Sequence, residues 1–418
     1  MSNRFRSLIS RRRRAHDVER RTRRRLIQLT RACMFAATYS CAAAAGAQET
    51  GVSGGPDDRP KAAEADVSTA AKPGVLARTF SWAQTKIDRR ATSTEGFYPQ
   101  FGGMIPGAGM SAGGGYRHRL ANTGAVVDAS AAISWRGYRT MQSQIAWPRL
   151  LNDRLAFGAK LQYQDFTHIN FFGVGNDSLK TQRTDYRLRT VDTLGFATIR
   201  ASSRVSVTGR TGLLRHVGVD PGQQPSLLHA DVAVDLDTRD VPGYPARGGR
   251  YRIATAMFHD QNLSRYSFRR VEGDAAQYIP LGRSVFAVRG RIDLSQTGAG
   301  QEVPFYLLPS IGGSNSLRGF LDYRFRDRDL LLVGAEYRWP IFRAVDAALF
   351  YDAGAVAPRA SALTHRLHSD YGVGVRVHSS THLLARVDVA RSREGTRVFL
   401  SLSAPLSPAS RVVVPFVP

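Results

Sequence analysis

Leu330-Leu331-Leu332-Val333-Gly334-Ala335-Glu336-Tyr337-Arg338-Trp339 is the stretch that decides the fold. Side chains of a strand alternate between its two faces. Leu331, Val333, Ala335, Tyr337 and Trp339 therefore share one face, and Gly334, Glu336 and Arg338 the other. The same period runs on through residues 345–351, 371–378, 383–390 and 396–403. It is already present upstream. Val232, Val234 and Leu236 alternate with Asp231, Asp235 and Asp237, while Tyr251, Ile253 and Thr255 alternate with Arg250, Arg252 and Ala254. Phe286, Val288, Ile292 and Leu294 alternate with Arg289, Arg291 and Asp293. One face is apolar with aromatic ends, and the other carries formal charges.

A soluble sandwich alternates in the same way, so the period alone leaves sandwich and barrel open. Three features favour a barrel. The pattern continues from residue 96 almost to the C-terminus without a second-domain break. Trp135, Trp147, Tyr337, Trp339, Tyr351 and Tyr371 sit at strand ends, where a lipid interface favours aromatic rings. Connections alternate between tight turns and long excursions, the brief link at Ser392 excepted, as the inner turns and outer loops of outer-membrane barrels do. Five strands after the longest link and eleven before it predict an all-β fold, a 16-stranded antiparallel transmembrane β-barrel.

Composition agrees. The chain has 418 residues and no run approaching the ~18 apolar residues of a spanning helix. Its mean hydropathy of -0.26 is what alternating strands average to. The net charge of +24 would suggest nucleic acid, but residues 1–31 hold 12 Arg against Asp17 and Glu19 and the remainder is spread thinly, so none is expected. Residues 1–47 read as a secretion signal: a basic start, an apolar stretch from Leu26 to Ala45, and Ala45-Gly46-Ala47 as the cleavage site. Both cysteines, Cys33 and Cys41, fall inside it, which removes disulfides and Cys chemistry from the mature chain. Residues 48–95 read as a disordered leader with a short helix, since Leu76, Phe80, Ala83 and Ile87 have helical spacing. The barrel is expected over 96–404, with a tail over 405–418.

The longest link carries Ile311-Gly312-Gly313-Ser314-Asn315-Ser316-Leu317-Arg318-Gly319-Phe320. Here the chain resembles the outer-membrane barrel superfamily of BamA and TamA, the bacterial surface antigen family, whose sixth loop carries a Gly-Gly and then a Val/Leu-Arg-Gly-Phe/Tyr element. Flanking segments extend the resemblance. Asp237-Thr238-Arg239-Asp240 with Pro245-Ala246-Arg247-Gly248 looks like the turn before that family's ninth strand, and Phe172-Gly173-Val174-Gly175-Asn176 like its third-loop element. Gly334 to Trp339 and Phe350-Tyr351-Asp352-Ala353-Gly354 resemble its twelfth and thirteenth strands. Together these cover residues 96–404.

Elementary chemistry supports the loop's role. Arginine keeps its proton, and burying it requires carboxylates within reach. Glycines flanking Leu317-Arg318 permit a tight reversal, and parity points Glu336 and Asp352 to the charged face. The resemblance implies that Arg318 pairs with them as a loop-to-wall lock; the plain alternative is a solvated loop arginine. It also implies insertion or translocation of polypeptides through a lateral seam, with outer-membrane lipids, lipopolysaccharide and unfolded client proteins as partners. The family's best-known members carry periplasmic POTRA domains, which residues 48–90 are too short to hold beside a leader. The alternatives are a passive pore and, far behind, an outer-membrane hydrolase.

No enzyme chemistry is expected. His365 and His368 fall in an outer loop while His378 and His382 lie near an inner turn, a barrel height apart, so no metal is expected. Asp235, Asp237 and Asp240 lack the glycine and closing Glu of a calcium loop. No Gly-x-Ser-x-Gly element singles out a serine, and neither cofactor nor small-molecule substrate is expected.

Overall fold

The computed structural model describes residues 95–401 apart from residue 122 and residues 219–223. The expected secretion signal, leader helix and C-terminal tail lie outside the described residues.

Sixteen strands follow one another as β1 Gly96–Gly103, β2 Met110–Arg119, β3 Val126–Ser134, β4 Arg139–Leu150, β5 Leu155–Phe171, β6 Thr184–Arg200, β7 Val205–His216 and β8 Ser226–Asp237, then β9 Gly248–Asp260, β10 Phe268–Leu281, β11 Ser284–Thr297, β12 Asp329–Phe342, β13 Val345–Ala357, β14 His368–His378, β15 Leu383–Ser392 and β16 Gly395–Ser401. Each pairs antiparallel with its sequence neighbours in one 16-stranded sheet. The order runs without a crossover, so short connections suffice throughout. Among the described residues, no ladder joins β1 to β16.

The burial pattern settles what alternation left open. Charged residues are inside: Asp231, Asp293, Glu336, Arg376, Arg386 and Asp388 are all buried. Large apolar residues on the opposite parity are exposed, among them Leu161, Ile253, Val333, Leu349 and Val373. A sandwich in water would reverse this arrangement, whereas a barrel with an ionic interior and a lipid-facing exterior requires it. Strands far apart in the order also come within side-chain reach. Lys180, after β5, donates to the Glu394 carbonyl between β15 and β16 at 3.1 Å, so the sheet curls around an interior. This is a 16-stranded antiparallel β-barrel.

Two connections do more than join strands. The link over residues 298–328, between β11 and β12, folds inward: Ser310–Ile311 pairs antiparallel with Phe325–Arg326. Its Tyr306, Leu307 and Leu308 pack with Phe166, Leu188, Phe258 and Phe268 in an apolar cluster. The second is residues 238–247, between β8 and β9, on the opposite rim. Its sequence suggests a tight turn, yet it reaches across to β12, β13 and the β14–β15 connection. Gly243 forms a bridge with His382. The Tyr244 hydroxyl donates to Asp346 at 2.7 Å, and its ring stacks on His378. Both ends of the interior thus carry inward-folded chain.

Candidate functional site

The loop tip is shaped by backbone that only glycine adopts at ease. Gly312 and Gly313 have φ of 122° and 93°. The Gly313 amide donates to the carbonyls of Leu317 (3.0 Å) and Phe320 (3.2 Å), which closes the reversal and turns Arg318 toward the wall. Gly319 lies flush against that wall. A Cβ there would stand 2.7 Å from the Cβ atoms of both Asp370 and Ser392, so only a hydrogen permits the approach. The Ser392 hydroxyl donates to the Gly319 carbonyl at 2.7 Å.

Arg318 is fully buried. Its Nε donates to Asp352 at 2.7 Å, and Nη1 donates to Glu336 at 3.1 Å and lies 3.6 Å from Asp388. The guanidinium carbon stands 3.4 Å over the Phe350 ring, so a cation–π contact completes the cage. Burial works against the charge, but Asp352 and Glu336 outweigh it and hold the Arg318 pKa above the ordinary guanidinium value.

The carboxylates are shared. Asp352 also accepts from Arg289 at 2.9 Å. Glu336 accepts from Arg376 at 2.8 Å, and Asp388 from Arg376 at 2.6 Å and Arg386 at 3.2 Å. Arg289 and Arg386 also donate to the loop: Arg289 to the Asn315 and Ser316 carbonyls, and Arg386 to the Ser314 carbonyl. Four guanidiniums and three carboxylates thus bind the loop to β11–β15. Desolvation offsets much of the Coulomb gain in such a cluster, so its effect is on which conformation the loop adopts more than on net stability.

Glu336 and Asp352 come together on Arg318, and Gly312, Gly313, Gly319 and Phe320 surround it. Phe320 is buried among Ile311, Leu317, Phe325, Leu330, Leu332 and Val356. His368 stacks on Phe325 at 3.8 Å, and its Nε2 lies 2.8 Å from the Asn176 carbonyl. Gly175 pairs with Arg326, and Arg324 donates to Ser178, so the third-loop element lies against the long loop. Asp388, Arg289, Arg376, Arg386 and Phe350 are the partners that sequence reasoning missed. Parity places the four charged ones on the interior face, but many other interior charges share that parity.

The turn residues form a separate group on the other rim. Asp237 holds Arg239 through two hydrogen bonds, 2.9 and 2.6 Å. Asp240 accepts from the amides of Val241 (2.8 Å) and Ala246 (3.1 Å). The Pro245 carbonyl accepts from Arg338, and Gly248, with φ of 87°, starts β9. Asp235 pairs with Arg250 and Arg252, and so is committed to the wall.

A barrel with an apolar exterior, an ionic interior and a loop anchored inside defines an integral outer-membrane β-barrel protein. The Omp85 superfamily domain matches residues 122–397, and the chain belongs to that superfamily, whose barrels are transporters and assembly factors, not enzymes. Among solved structures, BamA from Haemophilus ducreyi lacking POTRA domains 1–3 superposes with a TM-score of 0.59 at 16% identity, over 74% of this chain and 70% of that one. CdiB from Escherichia coli gives 0.51 at 11% identity, over 73% of this chain and 61% of that one. At these identities the likeness is one of fold. No curated protein matches the chain in sequence.

Proposed function

We propose that this protein inserts or translocates polypeptides at the outer membrane, with the seam between β1 and β16 as the lateral passage and the Arg318 lock as a strut. The observation that carries the reading is the seam itself. Among the described residues the sheet order ends at β1 and β16 with no ladder between them, which supports edges whose backbone groups can template a client strand. The composition of the β1–β2 pair supports the same reading. Its sequences GFYPQFGG and MSAGGGYRHR hold six glycines, and Pro99 lacks a donor. Strands so composed separate at low cost.

The inward-folded loop supports this reading over a passive pore. Arg318, Phe320 and Tyr306 occupy the interior, where a pore would need water. The arrangement needs no nucleotide, metal or covalent catalyst.

Photocrosslinking groups placed at Tyr98 in β1 and Val398 in β16 test the proposal in cells. Trapping of unfolded polypeptide at both positions, and not at Val234 on the far wall, is the expected result. Recovery of lipid adducts alone at the seam would refute it.

A further inference from the structure

The exterior of β4–β7 carries a cluster of charge at one rim of the lipid-facing wall. On β6 the outward positions from Val191 to Ile199 are Val191, Thr193, Gly195, Ala197 and Ile199. They span about 26 Å along the strand and about 20 Å across the membrane at a tilt near 40°, close to a whole apolar band. The next two outward positions are Arg189 and Arg187. Cross-strand register sets Arg139 of β4 and Arg189 of β6 on either side of Asp165 of β5, and Arg215 of β7 opposite Val191. Four guanidiniums therefore line the long-loop rim of the band.

Their local partner is insufficient. Asp165 binds Arg187 through two hydrogen bonds, 2.7 and 2.6 Å, and also lies in the field of Arg189 and Arg139. Asp185, one outward position beyond Arg187, is 3.9 Å from His168. Among the described residues the buried Arg189 Nε has no acceptor. Near the same rim Arg269 of β10 and Arg391 of β15 stand singly, and the outward positions on β12–β14 are Leu331, Ala353 and Ser369, so the clustering is particular to β4–β7. An arginine facing hydrocarbon is costly, but at the interface it meets headgroups. Guanidinium forks match phosphate oxygens in pairs.

We infer that Arg139, Arg187, Arg189 and Arg215 form a binding site for the phosphate-bearing headgroup of an outer-leaflet lipid. The site is independent of the seam and of the Arg318 lock. Asp165 orients Arg187 and limits the excess charge, and exposed Arg139 and Arg215, with Arg189 between them, supply the remaining positive charge for a ligand.

The test is native mass spectrometry of the full chain in detergent, titrated with diphosphoryl lipid A, with its dephosphorylated form and with inorganic phosphate. One arginine near a membrane surface is worth about fivefold in binding, so R189Q/R215Q should weaken diphosphoryl lipid binding about 25-fold. Asp165→Asn should tighten it about fivefold, whereas arginines with a merely structural role would lose binding with their carboxylate. Raising salt should loosen the diphosphoryl lipid and leave the dephosphorylated form unaffected, a reading on the unaltered chain that stands even if a variant fails to fold. Equal binding of both lipids, undiminished binding by R189Q/R215Q, or displacement of the lipid by equimolar inorganic phosphate would overturn the inference.

Discussion

Replacing Arg318 by alanine should free the long loop and leave the barrel standing. Truncating one partner of a buried ion pair costs ~3–5 kcal/mol, much of it from the charge left behind. Here the charges left behind keep other partners: Asp352 retains Arg289 at 2.9 Å and Glu336 retains Arg376 at 2.8 Å. The cost therefore falls at the low end, about 3 kcal/mol, which raises the undocked fraction of the loop roughly 100-fold. Hydrogen exchange reads this directly. The amides of Gly313, Ser316 and Phe320 are held by bonds within the loop tip and should lose about two orders of magnitude of protection. Ladder amides of β12 and β13 should not change. Lysine at 318 should be intermediate, since a point charge satisfies one carboxylate and lacks the fork. Unchanged protection at 313–320 would show that the loop is held by Phe320 packing and glycine fit alone. A collapse of the β12–β13 ladder together with the loop would equally refute a separable lock.

Gly319→Val should wedge the loop from Asp370 and Ser392 at about 1–3 kcal/mol, and combined with Arg318→Ala it should cost less than the two single changes together, by the same exchange readout. Tyr244→Phe removes the 2.7 Å hydrogen bond to Asp346, about 1 kcal/mol, and should make openings in planar-bilayer conductance about fivefold more frequent. Burial raises the pKa of Asp322 in the loop tip, so docking is favoured while that carboxyl is protonated and weakens as pH rises from the ordinary carboxylate range through the raised value. Protease protection of the loop should therefore be greater at pH 4.5 than at pH 7.5 in the native chain, and the difference should shrink in Asp322→Asn, for which an undiminished difference counts against Asp322 as its source.

Much of this was legible in the residues because a strand has a strict period. Once Tyr337 and Tyr351 are placed outward, Glu336 and Asp352 must point in, and the side of the wall facing Arg318 follows. The same logic has less to work on where side chains are missing. Gly113-Gly114-Gly115 in β2 has no side chains to alternate, and there the pairing with β1 and β3 defines the strand. It was also blind to reach. Asp388 and Arg386 share the interior parity with Asp231 and Arg210, but only the position of the loop tip selects the former pair, and contacts more than seventy residues apart in sequence help to set that position. The 238–247 turn shows the same limit. Its Pro and Gly spacing reads as a local reversal, while its course depends on Asp346, His378 and Arg338 offering polar and aromatic partners across the interior.

The two-residue connection between β15 and β16 has a mechanical consequence. Glu394 in that connection accepts from Arg324 of the long loop at 2.8 Å, its carbonyl accepts from Lys180, and Ser392 just before it holds Gly319. The final hairpin is tethered by one end to the object that fills the cavity. Withdrawal of that object would pull on the very ribbon that borders the proposed seam, so on that reading emptying the chamber and loosening its doorpost are coupled motions.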